Sequence, residues 1–120
     1  MGNNISFIEK KLNIELPEDY KHFIKTFGYL EVNGQEIYGY TDKMLDYNKI
    51  PCVIGATYLY RYSHKLLSEE IVIQSLGFEN IIVVLNTKSN TLYEVSPGNF
   101  KKKITDSFAD WLNNIQQDRR

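Results

Sequence analysis

Cys52 and His64 are the first residues to weigh for chemistry, because a thiol beside an imidazole can form a thiolate nucleophile. The setting argues against that use. Cys52 follows Pro51 and precedes Val53-Ile54, an apolar neighbourhood that keeps a thiol neutral, and free cysteine is among the most buried residue types. The other histidine, His22, shares a predicted helix face with Lys21 and Lys25 and reads as a surface residue. Glu69-Glu70 offers two carboxylates, but adjacent residues point to different faces of a helix or a strand, so this reads as a solvated pair. The glycines at 28, 34, 39, 55, 77 and 98 have neither the G-x-x-x-x-G-K nor the G-x-G-x-x-G spacing that cradles phosphate. Lys101-Lys102-Lys103 would present only alternate residues on one strand face and reads as defence of a sheet edge rather than a phosphate contact. No catalytic residues, metal ligands or cofactor motif emerge from this search.

Composition narrows the remaining classes. A chain of 120 residues makes one domain spanning 1–120, and 42% hydrophobic residues suffice for one core. Fourteen basic against fifteen acidic residues give a formal charge of -1, which disfavours direct binding of nucleic acid. One cysteine and two histidines exclude a disulfide scaffold or a cysteine-rich zinc module. No stretch resembles a signal peptide or a membrane span, so a cytoplasmic protein without membrane association is expected. Gly2 followed by Ser6 is a loose myristoylation pattern without a basic cluster to assist it.

The positioning elements follow from periodicity. Asn3 or Asn4 is expected to cap a helix whose buried stripe is Ile5, Ile8 and Leu12. Pro17 suits the first position of a second helix, with Glu18 and Asp19 in its first turn, a stripe of Tyr20, Phe23, Ile24 and Phe27, and Gly28 as its left-handed stop. Asn33-Gly34 predicts a tight hairpin between Leu30-Val32 and a strand over 36–40. Residues 41–65 stay undecided, because Tyr58, Tyr60 and Tyr62 alternate like a strand while Tyr58 and Tyr62 also fit helical spacing. From Ile71 the pattern predicts an antiparallel meander, with Ile81 to Leu85 as a strand covered on both faces and turns at 87–90 and 97–99. A last helix, capped by Asp106 or Ser107, aligns Phe108, Trp111, Leu112 and Ile115, and Asp118-Arg119-Arg120 reads as a solvated tail. The expected class is α+β, an antiparallel sheet bracketed by two N-terminal helices and one C-terminal helix.

Six of the nine tyrosines, at 38, 40, 47, 58, 60 and 62, fall within 25 residues beside Glu36, Asp42, Asp46 and Arg61. Tyrosine and arginine join contact area to a polar handle and are enriched in interface hot spots. Glu36, Tyr38, Tyr40, Asp42, Asp46, Tyr58, Tyr60, Arg61 and Tyr62 are therefore the candidate protein-binding residues. The competing reading places the strand tyrosines in the core with their hydroxyls at its rim.

Leu16-Pro17-Glu18-Asp19-Tyr20, then Phe23, Phe27-Gly28 and Asn33-Gly34 through Ile37-Tyr38-Gly39-Tyr40, resemble the SUKH superfamily. That group joins bacterial immunity proteins to a fungal cell-wall-synthesis regulator. Phe108, Trp111 and Leu112 resemble its closing helix, so the likeness spans nearly the whole chain. Tyr29 stands where many relatives carry a second glycine, and Leu76-Gly77-Phe78-Glu79-Asn80 replaces a Gly- and Asp-rich turn, which leaves the subgroup open. The resemblance implies a non-enzymatic protein that neutralises a cognate toxin by stoichiometric occlusion. If the toxin is a nuclease, Glu36, Asp42 and Asp46 would face its basic substrate groove. The alternative it implies is a regulatory interaction module with no toxin partner. The oligomeric state is left open.

Overall fold

Ile8 and Leu12 are buried along one side of α1 (Asn3–Leu12). The computed structural model describes residues 3–98 and 100–117, leaving Met1, Gly2, Asn99, the 118–120 tail and the Asn3 side chain outside the described residues. Because α1 already includes Asn3 and Asn4, its capping position also falls outside them. Asn13 takes a positive φ of 55° and turns the chain away. Pro17 sits one position earlier than expected, at the extended cap of α2 (Glu18–Thr26). Tyr20, Phe23 and Ile24 of α2 are buried, whereas Phe27, expected in the same stripe, is 40% exposed because the helix ends before it.

Gly28, at φ 72°, releases the chain into the hairpin of β1 (Leu30–Val32) and β2 (Gln35–Ile37). Asn33 and Gly34 both adopt positive φ, as a two-residue hairpin turn requires. β2 ends at Ile37, so Tyr38, Gly39 and Tyr40 are not a regular strand. Instead the Tyr38 amide donates to the Ile73 carbonyl at 2.7 Å, and Gly39 forms an isolated parallel bridge with Cys52.

The undecided segment resolves into a loop, with a cis Ile50–Pro51 peptide, and a helix, α3 (Val53–Tyr60). This is the element missing from the expected architecture. Val53 to Thr57 are buried on all sides, which erases the one-sided pattern that marks most helices. The meander follows as β3 (Glu70–Ser75), β4 (Ile82–Asn86), β5 (Leu92–Ser96) and β6 (Phe100–Thr105), antiparallel in the order β3-β4-β5-β6. β4 is an inner strand, with Ile82 to Leu85 buried on both faces. α4 (Phe108–Gln117) closes the fold, with Phe108, Trp111 and Ile115 buried. Ser107 is its cap, accepting from the Asp110 amide at 3.1 Å, while Asp106 pairs with Lys103.

The expected solvated pair is half wrong. Glu69 is half-buried, but Glu70 is fully buried, and its carboxylate accepts from the Leu67 amide at 2.8 Å and from the Lys101 ammonium. Adjacent positions do point apart, and Glu70 is the one directed inward, where Lys101 reaches back from β6 to meet it.

Candidate interaction face

α3 meets the preceding loop at Gly55. A Cβ there would lie 2.3 Å from the Asn48 carbonyl carbon and 2.4 Å from the Lys49 amide, so only glycine lets the loop close against the helix. Leu59, at i+4 on that stripe, and Tyr62, in the turn just past the end of α3, emerge beyond the covered part at 61% and 87% exposure. Leu45 and Ile50, on the loop itself, are exposed too. The stripe that begins as a core contact thus ends as an apolar surface.

Beside it lies a second aromatic group built on α1. Phe7 stacks on Tyr40 with centroids 5.0 Å apart and meets the edge of Tyr47 at 5.2 Å. The Lys11 ammonium sits 5.0 Å from the Tyr47 centroid and 5.7 Å from that of Phe7, and its hydrogen bond to Tyr47 raises its pKa. Tyr58 donates its hydroxyl to the Lys11 carbonyl at 3.0 Å, fastening α3 to α1, and the Arg61 guanidinium lies 6.0 Å from the Tyr58 ring. Arg61 Nε is buried and finds no hydrogen-bond partner among the described residues.

The nine candidate residues therefore separate. Asp42, Asp46, Tyr58 and Tyr62 are exposed, and Arg61 is half-buried against Tyr58. Glu36 is exposed on β2, where it accepts from the Tyr29 hydroxyl at 2.8 Å. Tyr40 and Tyr60 are half-buried, Tyr40 on Phe7 and Tyr60 edge-on to His64. Tyr38, at 3% exposure, is a core residue: its backbone pairs with β3, which draws the ring inside, and burial pushes its phenol up to about 12. Sequence reasoning missed Leu45, Ile50 and Leu59, since an apolar residue in a sequence reads as core until its exposure is seen.

The thiol and imidazole are each committed elsewhere. Cys52 is fully buried at the cap of α3, and burial raises its pKa. His64 Nε2 lies 2.6 Å from the Asn80 carbonyl, so this nitrogen carries the proton and donates. Nδ1 lies 2.8 Å from Ser63 Oγ, so both ring nitrogens already have partners and neither is left for a thiol. Among the described residues no group of His, Cys, Asp and Glu is arranged to hold a metal ion, and no helix is long and apolar enough to cross a membrane.

A family model described as SUKH_5, SMI1-KNR4 cell-wall, matches residues 2–117. The chain belongs to the SUKH family. A comparison with curated proteins finds no match. The signature residues of this SUKH protein serve the scaffold. Leu16, Tyr20, Phe23, Phe108 and Trp111 are buried, with the Phe108 ring edge-on to Tyr20 and Phe23 at 5.1 and 5.4 Å, and Leu112 packs half-buried against the same core. The Tyr20 hydroxyl donates to the Tyr38 carbonyl at 2.6 Å. Asp19 accepts from Asn90 and from the Ala109 amide, joining α2, the β4–β5 turn and α4. The Gly28 carbonyl accepts from the Tyr40 amide at 2.8 Å, and a Cβ on Gly39 would lie 1.8 Å from that same carbonyl oxygen. Gly34 serves the hairpin turn alone, with open space around it.

Proposed function

We propose that this SUKH protein is an immunity protein that binds a cognate bacterial toxin and blocks its active surface, one copy to one. Family membership supports the reading, because SUKH proteins are generally immunity proteins of toxin systems. The observation that carries the location is the exposure of Leu59 and Tyr62 at and just past the end of α3 and of Leu45 and Ile50 on the preceding loop, a segment in which Tyr58, Asp42 and Asp46 are also exposed and Arg61 is half-buried. Large apolar anchors ringed by polar and charged groups have the anatomy of an interface hot spot. Asp42 and Asp46 supply the negative rim that would steer a cationic toxin, such as a nuclease, onto the anchors. Tyr38, enclosed in the core, has no part in this surface.

Inhibition by coverage needs no group poised to react, and the engaged states of Cys52 and His64 accord with it. The deciding experiment is co-expression with a toxin-like protein encoded beside this gene. Co-purification as a complex and rescue of growth are expected, and absence of both rejects the pairing. A gene with no toxin neighbour, whose product captures a cell-wall or signalling protein instead, would favour the regulatory reading.

A further inference from the structure

The two edges of the meander are treated differently. On β3 the Val72 amide donates to Thr57 Oγ1 at 3.0 Å and the Ile73 carbonyl accepts from Tyr38, so α3 and the chain after β2 close that edge. β6 ends the other side, and among the described residues no strand lies beyond it. An unpaired edge presents outward N–H and C=O groups as a template for another strand.

The lysines of β6 do not screen this edge uniformly. Lys101 is drawn back to buried Glu70, and Lys103 pairs with Asp106. Lys102 stands opposite Glu94 in register and lies between Phe100, 74% exposed, and Ile104, exposed at the bulge where Leu92 and Tyr93 pair with Thr105 and Lys103. The exposed residues along this edge therefore read apolar, cationic and, at the bulge, apolar again. An edge designed only to repel would not expose Phe100 and Ile104. The turn leading into β6 is held in place, since the Gly98 amide donates to the Ser63 carbonyl just past α3 at 3.2 Å.

We propose that β6 receives an extended segment of a partner protein in which one carboxylate, with apolar residues to either side of it, is set against Lys102. Main-chain hydrogen bonds to the open edge provide the binding, and the carboxylate between Phe100 and Ile104 provides the selection. A second copy of this chain is the wrong occupant. Antiparallel pairing centred on Lys102 sets Lys102 against Lys102, a like-charged pair at the position that does the selecting. The inference rests on the open edge and does not depend on the tyrosine face or on the toxin.

The test uses the full chain labelled with nitrogen-15 and the peptide acetyl-Thr-Val-Thr-Glu-Thr-Val-Thr-amide, with a control carrying Lys for Glu. Amide exchange and chemical shifts are followed by NMR. Slowed exchange confined to the outward amides of β6 with the Glu peptide is expected, with binding of the Lys peptide weaker by roughly fivefold to tenfold. Lys102→Gln, an exposed change that leaves the core untouched and sets no second carboxylate against Glu94, is expected to abolish that preference. Shifts elsewhere on the surface, an equal response to both peptides, or no slowing of β6 amides at the solubility limit would overturn the proposal. So would β6 protection that grows with protein concentration without peptide, since the occupant would then be a second copy.

Discussion

Asp19 Oδ2 accepts a hydrogen bond from the backbone amide of Ala109 at 3.2 Å, so a carboxylate in the first turn of α2 caps the start of α4. The same oxygen accepts from Asn90 Nδ2 at 2.9 Å, and Asn90 Oδ1 accepts from the Phe108 amide at 3.3 Å. With Ser107 accepting from Asp110, three successive free amides of α4 are capped from three parts of the chain. Helix capping and hydrogen bonds to a charged acceptor both contribute here, so Asp19→Ala is expected to cost about 2 kcal/mol. Urea unfolding followed by tryptophan fluorescence measures it, and Trp111 on α4 is the reporter. An unchanged midpoint would mean that water replaces the carboxylate without loss.

Glycine positions separate steric need from conformational need. Gly39→Ala would drive a Cβ to 1.8 Å from the Gly28 carbonyl oxygen, a backbone atom that cannot move without breaking its bond to Tyr40. Loss of a folded product, or destabilisation beyond about 4 kcal/mol, is expected. Gly34→Ala meets nothing within 4 Å, but its φ of 79° costs an alanine about 1 kcal/mol. Thermal melts of the two variants should therefore differ sharply.

The contrast shows what was legible in the sequence. Gly34 and Gly28 were readable because local signals mark them: Asn before one and the end of an aromatic stripe before the other. Gly39 and Gly55 were not, since each is required by a chain segment distant in sequence. α2 and α4 bury a regular stripe and β3 and β4 an apolar run, and these were readable for that reason, while the hairpin, β5 and β6 were marked by the turn residues between them. α3 was not, because it is enclosed by β3, α1 and the loop, and burial on every side leaves no periodicity to detect. The tyrosine-rich segment was visible by composition, but its division into core Tyr38, anchored Tyr58 and exposed Tyr62 depends on pairing that composition does not encode.

Thr57 closes the β3 edge with its side chain, as acceptor for the Val72 amide. Thr57→Val keeps the volume and removes the acceptor, leaving a buried N–H unpaired, which is expected to cost about 1–3 kcal/mol. Hydrogen exchange at Val72 should accelerate more than at the inner strand β4. Equal acceleration across the sheet would indicate global loss rather than an opened edge.

Stability should fall on the alkaline side. Burial raises the Tyr38 phenol from 10.0 to about 12, burial and Glu36 raise Tyr29 to about 12, and burial raises the Cys52 thiol above 9.0. In each case the unfolded chain releases its proton at lower pH than the folded one. The stability these groups contribute is therefore fully present below their unfolded values and is lost as pH rises through the folded ones. Unfolding midpoints should begin to decline above pH 9 and drop most steeply between pH 10 and about 12. Tyr38→Phe should make that slope shallower, and an unchanged slope would show that Tyr38 is not among the titrating groups.

The exposed end of α3 allows affinity and stability to be read separately. Leu59 and Tyr62 are exposed at and just past the end of α3, so replacing either by alanine is expected to change stability by less than about 0.5 kcal/mol. If they are anchors, each replacement should weaken toxin binding by about 2 kcal/mol or more, roughly thirtyfold. Tyr58→Phe is the reciprocal case. It keeps the ring beside Arg61 but loses the hydroxyl bond to the Lys11 carbonyl, so about 1 kcal/mol of stability should go while affinity is nearly retained. Calorimetric titration of the toxin with each variant, alongside melts of the free protein, measures both quantities. A Leu59→Ala, Tyr62→Ala double variant that still neutralises the toxin at equal stoichiometry would move the binding face away from α3.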